Sequence, residues 1–444
     1  MTSAPLRIDS IPDEAAPPPR YACYPTVAQF RPGVGAEQAE AWTRMLPAGA
    51  RLTLRIHIPF CERLCWFCSS RTQRARGRGP VDALLDALAA EAARLGAILP
   101  EGAEVVGIRW GGGSPTILDP DQMARLDASL RAALPVAPGA GFAVEVEPHG
   151  LDPDRLATLA GLGLSEAALG VPDFDETVQA AIGRAVDPAR VAGTFAALRR
   201  AGVGRIALEL LYGLPDQTAE GFAASCDRAA GFCPDQILLS GYAHVPWMAR
   251  RQRMIPQARL PGGALRRAQF AAGSVRLQAA GYRVCGADLL LRPEDPLARA
   301  HAEGRLRRDL GGYGDREPTA SIGLGPAAVS RFPQGFVQNA GETGAYMDRL
   351  AAGRGAGTRG VVLGMEDRLR GRAIEMLFCG LRVDLVRLRD EFGDFARLLE
   401  APCAAAVRAF PGAVRPAPEG VVLDPEAPLL AQRVAEVFDA VGRR

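Results

Sequence analysis

A chain of 444 residues, 48% of them hydrophobic, is long enough for one large barrel plus a smaller domain and can fill a sizeable core. Its formal net charge of +2, with both signs spread along the chain, argues against a dedicated nucleic-acid binder. Nine cysteines in this length do not resemble a disulfide scaffold and fit a reduced, cytoplasmic compartment.

In chain order, residues 1–20 are polar and proline-rich and read as disordered or extended, with no apolar stretch of signal-peptide type. No apolar run reaches about 18 residues anywhere, so no membrane span is expected. The segment Pro19 to Thr26 is aromatic. Its two tyrosines, Tyr21 and Tyr24, read either as an arm packed on the barrel or as a lid over a substrate. A short helix over 37–46 leads into an apolar strand, Leu52 to Ile58, which Pro59 stops.

Three cysteines then follow as C-x3-C-x2-C: Cys61, Cys65 and Cys68. In so tight a loop their sulfurs can converge on one small object. The spacing is wrong for a C-x2-C zinc knuckle, and no second Cys/His pair sits nearby. Three thiolates suit an iron–sulfur cubane with one iron left open to a substrate or cofactor. The bland alternative is three cysteines packed as small hydrophobes.

Beyond the loop the pattern alternates. Helices are predicted over 80–99, 119–134, 153–161, 174–182, 187–201, 218–231 and 262–280. Strands are predicted over 104–110, 142–146, 164–170, 204–211, 235–241 and 282–287. Alternation implies parallel βαβ units, about six of them, and an incomplete (β/α)6-type barrel with its chemistry at the C-terminal strand ends. The glycine turn Gly111-Gly112-Gly113 falls at such an end. It reads as a backbone that approaches a ligand without Cβ obstruction and exposes N–H groups, or as a tight corner only. Glu145 ends the next strand, where it can accept hydroxyls. Arg184 follows a helix and reads equally as a ligand contact or a solvated arginine. Residues 301–360 read as a connection covering the barrel. In 361–444, helical patterns at 368–381, 391–409 and 428–441 with a wing strand at 421–423 suggest a compact winged-helix-like domain without a basic recognition helix. The domains so expected are 1–50, an arm and lead-in helix; 51–300, the partial barrel; 301–360; and 361–444.

The cysteine loop resembles that of the radical S-adenosylmethionine (SAM) superfamily. A closer likeness spans nearly the whole chain in order: Pro19-Arg20-Tyr21 with Tyr24-Pro25-Thr26, His57 to Cys61, Trp110 to Thr116, Gly170-Val171 with Asp173-Phe174, Tyr212 to Pro215, Tyr242-Ala243-His244, Gly312-Tyr313, Gly323 to Ser330, Gln338-Asn339 and Leu381 to Asp384. These segments resemble the oxygen-independent coproporphyrinogen III oxidase family. The resemblance implies a radical SAM barrel with a C-terminal helical domain, a [4Fe-4S] cluster and two SAM molecules. It also implies an electron donor such as flavodoxin or ferredoxin, and a monomer. The implied reaction breaks the SAM C–S bond, uses the 5′-deoxyadenosyl radical to take hydrogen from a propionate of coproporphyrinogen III, and releases carbon dioxide. Two such events yield protoporphyrinogen IX.

By the same resemblance, Cys61, Cys65 and Cys68 hold the cluster. Gly112 and Glu145 contact the cluster-bound SAM, with Val329 on its adenine side. Arg55 stands where the family usually has Tyr, and an arginine there can pair with the SAM carboxylate. Phe67, Gly113, Ser114, Arg184 and Ala243 line the second SAM, as do positions 172 and 209. Arg20, Arg184 and Arg250 are candidates to hold propionates. The chain departs from the family at Ser70 (a fourth Cys), Pro172 (Gln), Glu209 (Asp), Gly241 (Asn) and Leu289 (His), besides Arg55. Proline offers neither a side-chain amide nor an N–H. Two other readings stay open at this point: a radical SAM relative of the haem-degrading methyltransferase type, and a non-catalytic tetrapyrrole carrier.

Overall fold

Four helices start on the same two-residue signal. Asp119, Asp152, Asp187 and Asp295 each precede a proline, and each accepts a backbone N–H from the first turn, from Gln122 (3.0 Å), Arg155 (2.8 Å), Ala189 (2.9 Å) and Leu297 (2.7 Å). Proline supplies a helical φ where no N–H is needed, and the carboxylate satisfies a donor the helix leaves orphaned. These dipeptides punctuate a chain whose strands and helices alternate; at Asp119, Asp152 and Asp187 the helix starts fall within one residue of those expected, while the helix Pro296–Ala302 after Asp295 is not among the expected ones.

The computed structural model describes residues 21–441; the expected irregular stretch over 1–20, Arg20 included, lies outside the described residues. Six strands follow one another in parallel: β1 (Arg51–Ile58), β2 (Glu104–Gly112), β3 (Val136–Val146), β4 (Glu166–Gly170), β5 (Arg205–Tyr212) and β6 (Gln236–Gly241). Helices α1 (Gly79–Gly96), α2 (Pro120–Ala133), α3 (Pro153–Gly161), α4 (Pro188–Arg200) and α5 (Ala219–Gly231) lie between them, and α6 (Gly263–Ala279) follows. The strand period of two separates the faces. In β1, Leu52, Leu54, Ile56 and Ile58 are buried, whereas Thr53, Arg55 and His57 are only partly covered on the other side. In β5, Ile206, Leu208 and Leu210 are buried and Glu209 is not. The hollow side of the sheet therefore carries the polar side chains.

The sheet is larger than the six predicted units. Strand β7 (Ala320–Leu324) joins the free side of β1 in parallel, and Val329–Phe332, Gly335–Asn339, Gly357–Val362 and Arg31–Pro32 extend it antiparallel. With Leu289–Leu291 and Arg283–Val284 at the other edge, the sheet has thirteen strands among the described residues. Residues 301–360, expected as a covering connection, thus build part of the sheet itself; their short strands, broken by glycines, give little periodicity to read. The strand expected over 282–287 is also different. Only Arg283–Val284 is extended, and it turns back through Gly286 to pair antiparallel with Leu289–Leu291, which borders β6. Gly286 has φ +137°, a conformation open to glycine, so the chain reverses there and does not continue the parallel order.

The C-terminal helices Met365–Gly380, Leu385–Phe392, Glu400–Ala409 and Ala431–Phe438 enclose their own core with a three-stranded sheet of Arg382–Asp384, Gly420–Leu423 and Val414–Ala417. The two arm tyrosines belong to this core rather than to the barrel. Tyr21 donates its hydroxyl to Asp439 Oδ2 at 2.9 Å, and the Tyr24 hydroxyl accepts the Ala440 N–H at 3.0 Å.

One carboxylate joins α1 to the extension of the sheet. Glu91 accepts from Gly325 N (2.8 Å), Asn339 Nδ2 (2.8 Å) and Tyr346 Oη (2.7 Å). Burial pushes its carboxyl up to about 7 in spite of those donors. Replacing Glu91 with Ala strands three donors, at roughly 1–3 kcal/mol each. A loss of about 3 kcal/mol or more is expected by denaturant unfolding, and a loss below 1 kcal/mol would show that this tie is dispensable.

Candidate active site

Beyond Pro59 the chain enters the cysteine loop, which is held from three sides. Trp66 donates its N–H to Ile182 O at 3.0 Å and lies so close over Gly183 that a Cβ there would come within 2.8 Å of its ring. Gln252 Nε2 donates to Phe67 O at 2.7 Å, and Arg251 donates to Ser70 O and Thr72 Oγ1. Trp66 and Phe67 rest on a small apolar cluster of Val178, Ile182, Leu214, Tyr242 and Ile255. Cys61, Cys65 and Cys68, all half-buried, line one cavity of about 760 Å³ at the C-terminal ends of the strands.

Among the described residues, no three His, Cys, Asp or Glu side chains stand in ligand geometry already. The thiols share a wall without being drawn together. Burial pushes Cys61 up to about 11, with Cys68 adding to it, and burial raises Cys65 against the pull of the Arg184 guanidinium. Thiols raised in this way hold their protons more firmly, and metal binding must displace them. The donor set fits cluster iron: three soft sulfurs on one loop, with the position of a further family cysteine taken by the exposed Ser70. The cavity wall also carries a guanidinium, that of Arg55, with no ion pair among the described residues. Arg55 Nε, on its wall, has no hydrogen-bond partner. Burial pulls that guanidinium below its usual range, partly opposed by Asp309.

The glycine turn works differently from its expected role. Its N–H groups are spent inside the protein: Gly112 donates to Glu145 Oε2 at 3.0 Å, Gly113 to Ile58 O at 2.8 Å and Ser114 to Phe60 O at 2.8 Å. What the glycines provide is room. A Cβ on Gly112 would overlap the His57 ring, and one on Gly113 would come within 2.7 Å of two carbonyl oxygens of the cysteine-loop entrance. The absence of side chains lets strands β1 to β3 bring the loop, the turn and the Glu145 carboxylate to one place.

The same cavity brings together Arg55, Phe67, Gly112, Gly113, Ser114, Glu145, Pro172, Arg184, Glu209 and Ala243, and the departures Ser70, Gly241 and Leu289. Val329 is not on its wall; its backbone packs against Gly323. Arg250 is exposed and outside the wall as well. Arg184 is neither a solvated nor a free cation. It pairs with Glu147 Oε2 at 2.6 Å, reaches Cys65 Sγ at 3.7 Å and donates to Gly170 O. Glu209 accepts from Ser240 Oγ at 2.6 Å, and the Pro172 carbonyl accepts from Leu211 N at 2.9 Å. Gly241 leaves the space that the Tyr212 hydroxyl and Arg266 occupy, 2.9 and 3.2 Å from where its Cβ would stand.

Other residues that shape the site have no role assigned from the sequence. Asp173, fully buried, accepts from Ser225 Oγ, Gln217 Nε2 and Asp175 N, while Gln217 Oε1 accepts from Gly213 and Leu214. This network ties the Pro172 corner to the Tyr212-Gly213-Leu214-Pro215 turn. In the sequence both ends of this network stand only as matched segments, Asp173-Phe174 and Tyr212 to Pro215, with no role attached. Arg109, Glu166 and Arg205 form a charged floor, with Arg205 to Glu166 at 2.9 Å. A second cavity of about 880 Å³ shares these three residues and Arg55 with the first and is also lined by Tyr21, Tyr24 and Phe378.

Comparison with known proteins agrees with this geometry. A family model described as the radical SAM superfamily matches residues 56–229. The chain is 40% identical to an oxygen-independent coproporphyrinogen III oxidase of Cereibacter sphaeroides over 95% of this chain and 94% of that protein. It is 38% identical to the enzyme of the same name from Paracoccus denitrificans over 95% and 93%. The structure of coproporphyrinogen III oxidase (HemN) from Escherichia coli, described as a radical SAM enzyme, superposes with a TM-score of 0.89 at 30% identity, covering 95% of this chain and 97% of that one. The chain belongs to the oxygen-independent coproporphyrinogen III oxidase family of the radical SAM superfamily.

Proposed function

We propose that this protein is a radical SAM oxidoreductase that converts coproporphyrinogen III to protoporphyrinogen IX by oxidative decarboxylation without oxygen, in haem biosynthesis. The observation that carries this reading is the meeting, on one cavity, of three loop thiols, the glycine turn with its Glu145 partner, and the half-buried Arg55, whose Nε has no hydrogen-bond partner among the described residues. Relatives that match from end to end bear the corresponding name.

The family implies a [4Fe-4S] cluster and SAM, which together supply a carbon radical able to remove a hydrogen atom. Cys61, Cys65 and Cys68 would hold the cluster. Gly112 and Glu145 stand beside them and are proposed to orient the SAM bound there, with Arg55 meeting its carboxylate. Phe67, Gly113, Ser114, Pro172, Arg184, Glu209 and Ala243 are proposed to line a second SAM. Arg184, already bound to Glu147, would serve it as a wall more than as a free charge. The protein's own work is positioning and exclusion of water: a fixed cavity holds the propionate carbon near the reacting centre, where effective concentration replaces chance encounter. For the propionate carboxylates, Arg109 is a better candidate than Arg250, because it lines the cavity and its ion pair with Glu166 is long, at 3.9 Å. All nine cysteines are free, and no described helix is long and apolar enough to cross a membrane. We further propose a cytoplasmic monomer that takes electrons from flavodoxin or ferredoxin.

Anaerobic incubation with coproporphyrinogen III, SAM and dithionite tests the reading. Protoporphyrinogen should appear with methionine and 5′-deoxyadenosine; an opened tetrapyrrole, or no SAM cleavage by cluster-loaded protein, overturns it. Anaerobic reconstitution should give about four irons per chain. Cys65→Ala should lose nearly all cluster iron, sulfide and visible absorption, and unchanged iron would remove Cys65 from the ligand set.

The departures allow a sharper test. Titration of the loaded protein with SAM should show a second, weaker equivalent. Pro172→Gln combined with Glu209→Asp should tighten that equivalent by about tenfold or more, since one contact to a charged group is worth roughly 1.5–3 kcal/mol. A single equivalent in both proteins would mean that the second site is absent.

A further inference from the structure

The surface around the cysteine loop is unlike the rest of this nearly neutral chain. Residues 61–78 carry five arginines and one carboxylate, Glu62, and residues 245–260 carry four arginines and none. The two segments form one face, because Arg251 donates to Ser70 O at 3.2 Å and to Thr72 Oγ1 at 2.7 Å, and Gln252 holds Phe67 O. Arg71, Arg78 and Arg259 are paired with Glu342, Asp119 and Asp216. Arg63, Arg74, Arg76 and Arg253 are exposed and make no salt bridge among the described residues. Beside them stand three large apolar side chains in solvent: Trp247 is 67% exposed, Met248 70% and Met254 57%.

An apolar patch rimmed by charges of one sign is the form of a protein-binding surface. Apart from Arg63, which lines the rim of the cavity, it lies outside the cavity wall and directly against the loop that bears the three thiols. We propose that this face docks a small acidic protein that carries one electron at low potential. The inference rests on the reading that Cys61, Cys65 and Cys68 hold a cluster. Docking passes one electron from the reduced carrier to that cluster; the carrier is oxidised by one electron, and no bond or proton changes place. Trp247, Met248 and Met254 form the dry centre of the contact, and the unpaired arginines steer the approach. Encounters of this kind are small, below about 1,200 Å², and their association is fast and sensitive to salt.

The experiment titrates cluster-loaded protein with an acidic ferredoxin and, separately, an acidic flavodoxin, following binding by calorimetry at low and at physiological salt. At least one carrier should bind, more weakly as salt rises. A triple variant, Arg74→Glu with Arg76→Glu and Arg253→Glu, should weaken that binding by at least about tenfold and flatten its salt dependence. Trp247→Ala should weaken it without changing the salt dependence. Both variants should keep the cluster absorption and the dithionite-driven cleavage of SAM, which bypasses docking. Failure of both carriers to bind the unmodified protein overturns the proposal, as does equal binding by the variants. A triple variant that loses affinity for coproporphyrinogen and keeps it for the carriers makes the face a substrate approach and overturns it too. Loss of dithionite-driven cleavage in the unmodified protein counts against the radical reaction, and carrier binding is read independently of it.

Discussion

The hydrogen bond from Gly112 N to Glu145 Oε2 is the contact on which the site depends. It closes only because positions 111 to 113 have no side chains: a Cβ on Gly111 would stand 2.5 Å from the Glu145 carboxylate, and one on Gly112 would overlap His57. The parallel ladder of β1, β2 and β3 sets the register that makes the three strand ends level, with Ile58 opposite Gly112. The cysteine loop is then pinned to the turn through Ile58 O and Phe60 O. Anything that forces a side chain between these ends moves the thiols relative to Glu145.

The barrel is made polar inside by the same alternation that makes its outer face apolar. Leu52, Leu54 and Ile56 are buried on one side of β1, so Arg55 has no choice but the hollow side. There it meets Glu145 on the same cavity, with Arg109, Glu166 and Arg205 on the floor. A half-buried arginine with a buried donor left over is costly, and that cost is tolerable where an anionic ligand is to arrive. The hollow sheet thus concentrates charge where an open sheet would have let water screen it.

Around this centre the corners are fixed by polar networks rather than by packing alone. Asp173 holds Gln217, Gln217 holds the N–H groups of Gly213 and Leu214, and the Pro172 carbonyl is taken by Leu211. The substituted positions are therefore integrated into the fold. Gly241 yields its volume to Tyr212 and Arg266, and Glu209 has found Ser240. The family relationship over nearly the full length and the changed lining residues are both properties of one well-formed cavity.

The amino-acid sequence by itself determined the parallel βαβ order, the helix starts at Asp-Pro, the three-cysteine loop and the placing of the glycine turn and Glu145 at strand ends. Each of these rests on short-range physics: a period of two or 3.6, a cap within three residues, a spacing within one loop. Only the tertiary structure decided that the glycine N–H groups are occupied, that Arg184 belongs to Glu147, that Val329 stands off the cavity wall, that Tyr21 and Tyr24 pack on the C-terminal helices, and that residues 301–360 complete the sheet. Those outcomes join residues far apart in the chain, as Tyr21 and Asp439 are. Which distant donor meets which acceptor is set by the competition among all buried partners at once, and no local pattern records it.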